Sequence, residues 1–299
     1  MITPTIAPTR DDVAGHYDEL DRFYREVWGE HVHHGLWDSK ARKATPEQAA
    51  RRLIAVVAEQ ARVRPGDAVC DIGCGYGGTA RVLAREHRAE VTALTISPAQ
   101  HAHAIARDGD NGPDVPNPTY LLRDWLENDL PAGSFDAAVA IESTEHMGDL
   151  SAFFHEAARV LKPGGRLVVC AWLSREAPRA WEARHFLEPI CREGRLARMG
   201  TAADYERLAR KEGLEPSDFR DVSRQVKKTW TICARRVAAG LVRDPSYRAF
   251  LRRGKGKNRV FALTLLRIRL AYELGSMRYG ILTFVKGPDN LIDDATKDL

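Results

Sequence analysis

Residues 69–78, Val-Cys-Asp-Ile-Gly-Cys-Gly-Tyr-Gly-Gly, constrain this 299-residue chain more than any other stretch. They read as a buried strand running into a glycine loop that opens a helix. In that arrangement backbone N–H groups converge on a ligand at the positive end of a helix dipole. Gly73, Gly75 and Gly78 also satisfy the dinucleotide spacing G-x-G-x-x-G. That reading asks for an acid at the end of the next strand to hold a ribose hydroxyl. The next strand, Val91-Thr92-Ala93-Leu94-Thr95-Ile96, carries Thr95 there. Asp71, just ahead of the first glycine, offers a carboxylate that suits a cationic ligand better than a pyrophosphate.

Periodicity and punctuation set the order of elements. Residues 1–10 are expected to be disordered. From Asp11 to about Trp28, the positions Val13, Tyr17, Leu20, Phe23, Tyr24 and Val27 recur at helical spacing, which predicts one helix. A histidine-rich loop follows, His31-Val32-His33-His34-Gly35-Leu36-Trp37-Asp38. Thr45 can cap the next helix, and Pro46 suits its first turn. Strands are expected at about 68–72, 90–96, 119–123, 135–141 and 166–171, alternating with helices. This is the pattern of a parallel sheet covered on both faces. Ser97-Pro98-Ala99-Gln100 reads as an N-cap, a first-turn proline and a capping-box glutamine. Beyond the fifth strand the alternation loosens. Helices are expected near 178–193 and 201–212, a sixth strand near 218–226, then about fifty mostly helical residues before a last strand at about 279–285. The organisation expected is an N-terminal helical lid (1–45), an α/β core (46–226), a helical substrate cap (227–277), and the last strand with its tail (278–299).

Composition narrows the function classes. An apolar content of 44% can bury one large core or two modest ones, and a charged fraction of 29% is ordinary. No apolar run approaches the roughly 18 residues of a membrane span. The first residues lack the basic start and apolar stretch of a secretory signal, so a cytoplasmic location is expected. Cys70, Cys74, Cys170, Cys191 and Cys233 are scattered without C-x-x-C spacing, against a disulfide framework or a zinc site. Net charge is +4, yet fourteen Lys or Arg lie between Arg224 and Arg269 against one acid, Asp244. The densest part is Arg252-Arg253-Gly254-Lys255-Gly256-Lys257-Asn258-Arg259. A solvated surface, a diphosphate-bearing substrate and an anionic membrane surface all fit such a run. Stacking aromatics do not interleave it, so no nucleic-acid partner is expected.

Successive strand ends offer an ordered set of ligand groups, where open α/β sheets bind. Asp71 with the backbone of Gly73, Gly75 and Gly77 suits the aminoacyl end of S-adenosylmethionine (SAM). Thr95 and Gln100 suit its ribose hydroxyls, Asp124 its adenine amino group, and Trp125 the face or edge of the ring. Tyr17, Ile141 and Glu142 complete the expected cofactor set. Each has a structural alternative: Gln100 can complete its capping box, Trp125 can be core, and Asp124 can cap a turn. Their order along the chain favours SAM as the cofactor.

Three blocks resemble the class I SAM-dependent methyltransferases: residues 71–78, Leu94-Thr95-Ile96-Ser97-Pro98-Ala99-Gln100, and Leu161-Lys162-Pro163-Gly164-Gly165. Trp28-Gly29-Glu30-His31-Val32-His33-His34-Gly35 and Ile141-Glu142-Ser143-Thr144-Glu145-His146-Met147 more narrowly resemble the γ-tocopherol methyltransferase-like branch, akin to sterol and prenyl C-methyltransferases. The resemblance extends through Met277-Arg278-Tyr279-Gly280-Ile281-Leu282-Thr283. It implies a Rossmann-like α/β fold, a mixed seven-stranded sheet with a helical cap, and methylation of carbon or nitrogen of small lipophilic molecules. The chain is also similar to the cyclopropane fatty acid synthases through His16-Tyr17-Asp18, Leu94-Thr95 and Glu142-x-x-Glu145-His146. It departs from their bicarbonate site of cysteine, glutamate, histidine and tyrosine. The His33-His34-Gly35 loop has no cysteine, Trp172-Leu173-Ser174 has no histidine, and Val226 stands where the tyrosine falls. Cyclopropanation is therefore not expected.

SAM is already an activated electrophile, so orienting the acceptor and excluding water carry much of the chemistry, on the order of 7–11 kcal/mol. A carbon acceptor leaves a carbocation that calls for aromatic faces or a carboxylate, then a base. A phenol or amine needs a base or an oriented acceptor. Glu145 and His146 are the candidates for base or cation stabiliser; charge complementarity at a helix N-terminus is the structural alternative for Glu145. Tyr24, Trp28, His33 and His34, with Tyr17, would form a lid over the acceptor. The clustered histidines raise the question of a metal, but no recognised ligand spacing supports one. The expected reaction is methyl transfer to carbon of an isoprenoid, prenyl diphosphate or prenylated aromatic in specialised metabolism. N- or O-methylation of a small natural product and a non-catalytic SAM- or RNA-binding module are the alternatives. The partner expected is a small lipophilic substrate that an anionic group could join to the basic run, and the aromatic first helix could support a homo-oligomer.

Overall fold

The computed structural model describes residues 1–37, 43–108, 116–245, 247–249 and 257–288, and among these it leaves aside the side chains of 257–263. Asp38, the turn at Asn111-Gly112-Pro113, the segment from Arg252 to Gly256 and the tail from 289 lie outside the described residues.

Seven strands form one mixed sheet: β1 Ala68–Ile72, β2 Glu90–Thr95, β3 Thr119–Leu122, β4 Phe135–Ile141, β5 Leu161–Ser174, β6 Leu214–Asp221 and β7 Met277–Lys286. Their order is β3-β2-β1-β4-β5-β7-β6. The first five run parallel, and β7 is antiparallel to both β5 and β6. The chain steps outward from β1 to β3, then returns to place β4 on the other side of β1. That reversal opens a crevice beyond the carboxyl ends of β1 and β4, where the glycine loop lies.

Burial on both faces explains the apolar strands. Val168 faces the layer that holds Leu53, Ile54 and Val57 of α3 (Pro46–Ala61), while its neighbour Val169 faces Phe153 and Phe154 of α6 (Leu150–Val160). This alternation is the two-residue period of a strand with helices on each side. Thr45 caps α3 through a reciprocal box with Gln48, and Asp149 caps α6. The other core helices are α4 (Gly78–His87) and α5 (Pro98–Arg107).

Several boundaries differ from the sequence reading. Residues 1–10 are placed: Ile2 pairs with Met199 through two backbone hydrogen bonds of 2.8 Å. The first helical stretch is two helices, α1 (Arg10–Glu19) and α2 (Asp21–Val27), broken at Leu20. The break lets α1 direct Tyr17 toward His146 while α2 buries Phe23 and Val27 in the core. The sixth strand ends at Asp221, because the Asp221 carboxylate accepts the Ser223 N–H and turns the chain into the short helix Ser223–Val226. Strands β5 and β7 are longer than expected, since they zip together from Arg166↔Val285 to Ser174↔Met277. The stretch near 178–193 carries a π-helical turn, Ala183–Leu187, between Ala180–Glu182 and Glu188–Glu193. Between β6 and β7 lie two long helices, Lys228–Arg243 and Lys257–Leu274, which pack on one another. Among the described residues no helix is long and apolar enough to cross a membrane.

Candidate active site

Three cavities meet over the crevice. The largest, about 1160 Å³, runs from Asp124 and Trp125 past Thr95 and Gln100 to Gly73 and Ile141. A second, about 720 Å³, is a chamber walled by Tyr24, Trp28, Trp172 and Trp230 with Leu265 and Ile268 of the last long helix. A third, about 340 Å³, lies between Asp71, the glycine loop and the His31–His33 segment. Tyr17, Glu142 and His146 face both larger cavities, so they stand where an acceptor would meet a ligand in the crevice. Among the described residues, Val32 alone lines all three.

The crevice fits SAM on its own features. Gly73 has φ +78, and a β-carbon there would lie 2.4 Å from that of Ser143, so only glycine lets the loop close on β4. Thr95 Oγ1 donates to Gln100 Oε1 at 2.9 Å. Gln100 therefore does not close the expected capping box; Ser97 caps α5 alone, and the glutamine is turned to the cavity wall. Asp124 caps the short turn Trp125–Glu127 yet also lines the cavity, so structural and ligand roles coexist there. Trp125 is buried with its Nε1 donating to the Phe153 carbonyl, which leaves one side of the ring to the cavity. Gly77 is not among the residues lining these cavities. It is the N-cap of α4, and a β-carbon there would strike Tyr120 and Arg81 behind the loop. Burial raises the Asp71 pKa to about 7, and its Oδ2 has no partner.

Beyond β4 two glutamates sit in opposite electrostatic states. Glu142 adopts φ +54, a left-handed conformation that costs a non-glycine residue on the order of 1 kcal/mol. Its Oε1 accepts from the backbone N–H of His34 at 2.6 Å, from His34 Nδ1 at 2.9 Å and from Tyr279 Oη at 2.8 Å. Its Oε2 accepts from Trp172 Nε1 at 2.8 Å. Burial works against the charge, but His34 and these donors hold the pKa at about 2. Trp230 Nε1, which can only donate, reaches His34 Nε2 at 2.6 Å, so the His34 proton sits on Nδ1 facing Glu142. Glu145, three residues on, accepts from the Trp172 backbone N–H and from Thr144 Oγ1. Desolvation dominates there and pushes its pKa up to about 8.

Geometry fixes the tautomer of His146. Its Nδ1 is 3.0 Å from the Arg195 carbonyl, which only accepts, so Nδ1 carries the proton. Nε2 then holds a lone pair, and Tyr17 Oη donates to it at 2.9 Å. Burial lowers the His146 pKa, which keeps the ring neutral, and raises that of Tyr17.

Of the expected acceptor contacts, Tyr24, Trp28 and His34 line the chamber. His33 does not: its Nδ1 bonds the His34 carbonyl and its ring faces the cavity beside Asp71. A coil segment has no period from which that direction could be read. Residues missed by the sequence reading include Trp172, Trp230 and Tyr279, which tie Glu142 and His34 together from β5, the helix Lys228–Arg243 and β7. Three basic residues between β6 and β7 are engaged structurally: Arg236 bonds the Val27 carbonyl, Lys227 pairs with Glu273, and Arg267 pairs with Glu193. Among the described residues no group of three or more His, Cys, Asp or Glu is arranged to hold a metal.

Known proteins resemble this chain in sequence and fold. Residues 5–238 match the mycolic acid cyclopropane synthetase family. The 27-O-demethylrifamycin SV methyltransferase of Amycolatopsis mediterranei (strain S699) is 33% identical over 284 residues, spanning 94% of this chain and 99% of its own. The chloroplastic tocopherol O-methyltransferase of Arabidopsis thaliana is 30% identical over 297 residues, 93% of this chain and 82% of its own. The crystal structure of the [4+2]-cyclase SpnF superposes with a TM-score of 0.79 at 29% identity, covering 96% of this chain and 99% of that one. The chain belongs to the mycolic acid cyclopropane synthetase family, and it is a SAM-dependent methyltransferase.

Proposed function

We propose that the enzyme methylates a hydroxyl oxygen of a bulky lipophilic acceptor, with His146 taking the hydroxyl proton. The carrying observation is the unprotonated Nε2 of His146, anchored through Nδ1 and bonded to Tyr17 where the two large cavities join. When bound, the cofactor supplies an electrophilic methyl on a sulfonium. Gly73, Gly75 and Asp71 would hold its aminoacyl end, Thr95 and Gln100 its ribose, and Asp124 and Trp125 its adenine. Tyr24, Trp28, Trp172 and Trp230 enclose the acceptor and exclude water. The proton that the acceptor hydroxyl gives up would pass to His146 Nε2, directly or through the Tyr17 hydroxyl. The segment 227–277 acts as a substrate cap, since Trp230, Thr264, Leu265 and Ile268 wall the chamber.

Transfer to carbon, the reading the motifs favour, draws support from the same aromatic walls, which could face a carbocation. The glutamates weigh against it. Glu142 already accepts four hydrogen bonds, and Glu145 at about 8 is protonated at neutral pH, so neither offers an uncommitted negative charge. The name of the rifamycin relative, which specifies a demethylated oxygen, supports oxygen. Incubation with SAM carrying a 13C methyl, against phenols, hydroquinones, macrocyclic alcohols and prenyl diphosphates, tests the assignment by NMR. A methoxy signal from a hydroxylated acceptor is expected. Turnover of prenyl diphosphates alone, with a C–CH3 product, would replace oxygen by carbon.

A further inference from the structure

The small cavity beside the glycine loop holds three buried polar atoms without partners: Asp71 Oδ2, His33 Nε2 and His31 Nδ1. All three residues are more than nine-tenths buried. Two of them are acceptors, Asp71 Oδ2 and His33 Nε2. His33 Nδ1 gives its proton to the His34 carbonyl at 2.9 Å, so Nε2 can only accept while the ring is neutral, and burial lowers its pKa. Asp71 takes a backbone N–H from Ala80, while its buried Oδ2 has no partner and the residue lines the cavity. An occupant that satisfies several acceptors at once must bring several donors. An ammonium group has three donors and no acceptor.

The two histidines come from a different part of the chain than the aspartate. His31 and His33 belong to the segment between α2 and α3, which is laid over the start of α4 so closely that a β-carbon on Gly78 would lie 2.6 Å from His31 Nδ1. The same short segment contributes Trp28, Val32 and His34 to the acceptor chamber. Whatever fills the small cavity therefore bridges core and lid.

We infer that Asp71, His33 and His31 form a cage for the α-ammonium of SAM, and that filling it latches the lid, so that the cofactor binds first and completes the acceptor chamber. This rests on the SAM reading of the crevice and adds two histidines of the 28–37 segment, of which the sequence places His33 with the acceptor. The sulfonium and adenosine parts lie outside the cage, so a ligand lacking the aminoacyl arm binds without latching.

Calorimetry with S-adenosylhomocysteine and with 5′-methylthioadenosine, which lacks that arm, separates the outcomes. His33→Leu is expected to weaken S-adenosylhomocysteine by about tenfold, one charge-assisted hydrogen bond, and to leave 5′-methylthioadenosine within about twofold. His33→Gln keeps an acceptor and restores most of the loss. In wild-type protein, hydrogen exchange of residues 28–37 slows with S-adenosylhomocysteine and not with 5′-methylthioadenosine. Equal weakening of both ligands, no weakening of either, or equal protection by both overturns the cage and its latch. Absence of any binding of S-adenosylhomocysteine to wild-type protein would instead remove the cofactor reading beneath it.

Discussion

Replacing Glu142 with glutamine tests whether one buried charge holds the His34 segment against the sheet. The side chain is about 9% exposed and accepts from His34, Trp172 of β5 and Tyr279 of β7. Its pKa falls from 4.5 to about 2 on folding, a gap worth about 3 kcal/mol at roughly 1.36 kcal/mol per unit. Because the folded value is the lower one, this stabilisation is complete above pH 4.5 and disappears as pH falls from about 4.5 to about 2. Glutamine preserves the shape but turns one acceptor oxygen into a donor that faces other donors. Each buried group left unmatched costs about 1–3 kcal/mol, which agrees with the figure from the titration. Urea unfolding at pH 7 is therefore expected to show a loss of about 3 kcal/mol in Glu142→Gln. The variant should also lack the extra decline in stability that wild-type protein shows between pH 4.5 and about 2. A loss below about 1 kcal/mol, or an acid limb identical to that of wild type, would refute the reasoning.

Glu145 should behave in the opposite sense. Its folded pKa of about 8 lies above 4.5, so wild-type stability declines as pH rises between those values. Glu145→Gln removes that decline and is expected to be at least as stable as wild type at pH 8; earlier unfolding in urea at that pH would count against a protonated carboxyl. His146→Asn keeps a donor for the Arg195 carbonyl but removes the base, and kcat is expected to fall by about 10²–10⁴ with little change in S-adenosylhomocysteine affinity. Unaltered turnover would take His146 out of the reaction. Wild-type kcat should begin to fall only below pH 6.5, since burial lowers the His146 pKa. Gln100→Leu takes away the partner of Thr95 and should weaken S-adenosylhomocysteine by about tenfold in calorimetry, whereas full affinity would return Gln100 to a structural role.

What local sequence could determine, it determined closely. The boundaries of β1 and β4 coincide with the expected ones, because a buried parallel strand is a short apolar run between turn residues. The glycine loop, the caps of α3 and α6 and the placement of Thr95, Asp124 and Ile141 around one crevice follow from the same short-range rules. Tertiary structure decided the rest. His33 and His34 are adjacent in a coil, yet one faces the glycine loop and the other the acceptor chamber, and no period in a coil encodes that difference. Glu142 and Glu145 are three residues apart with pKa values of about 2 and about 8. The donors that separate them arrive from residues 34, 172 and 279, and desolvation depends on everything packed around a group. Spacing along a chain can place a carboxyl at the end of a strand. Its charge is set by partners distant in sequence, and these meet it only when the chain has folded.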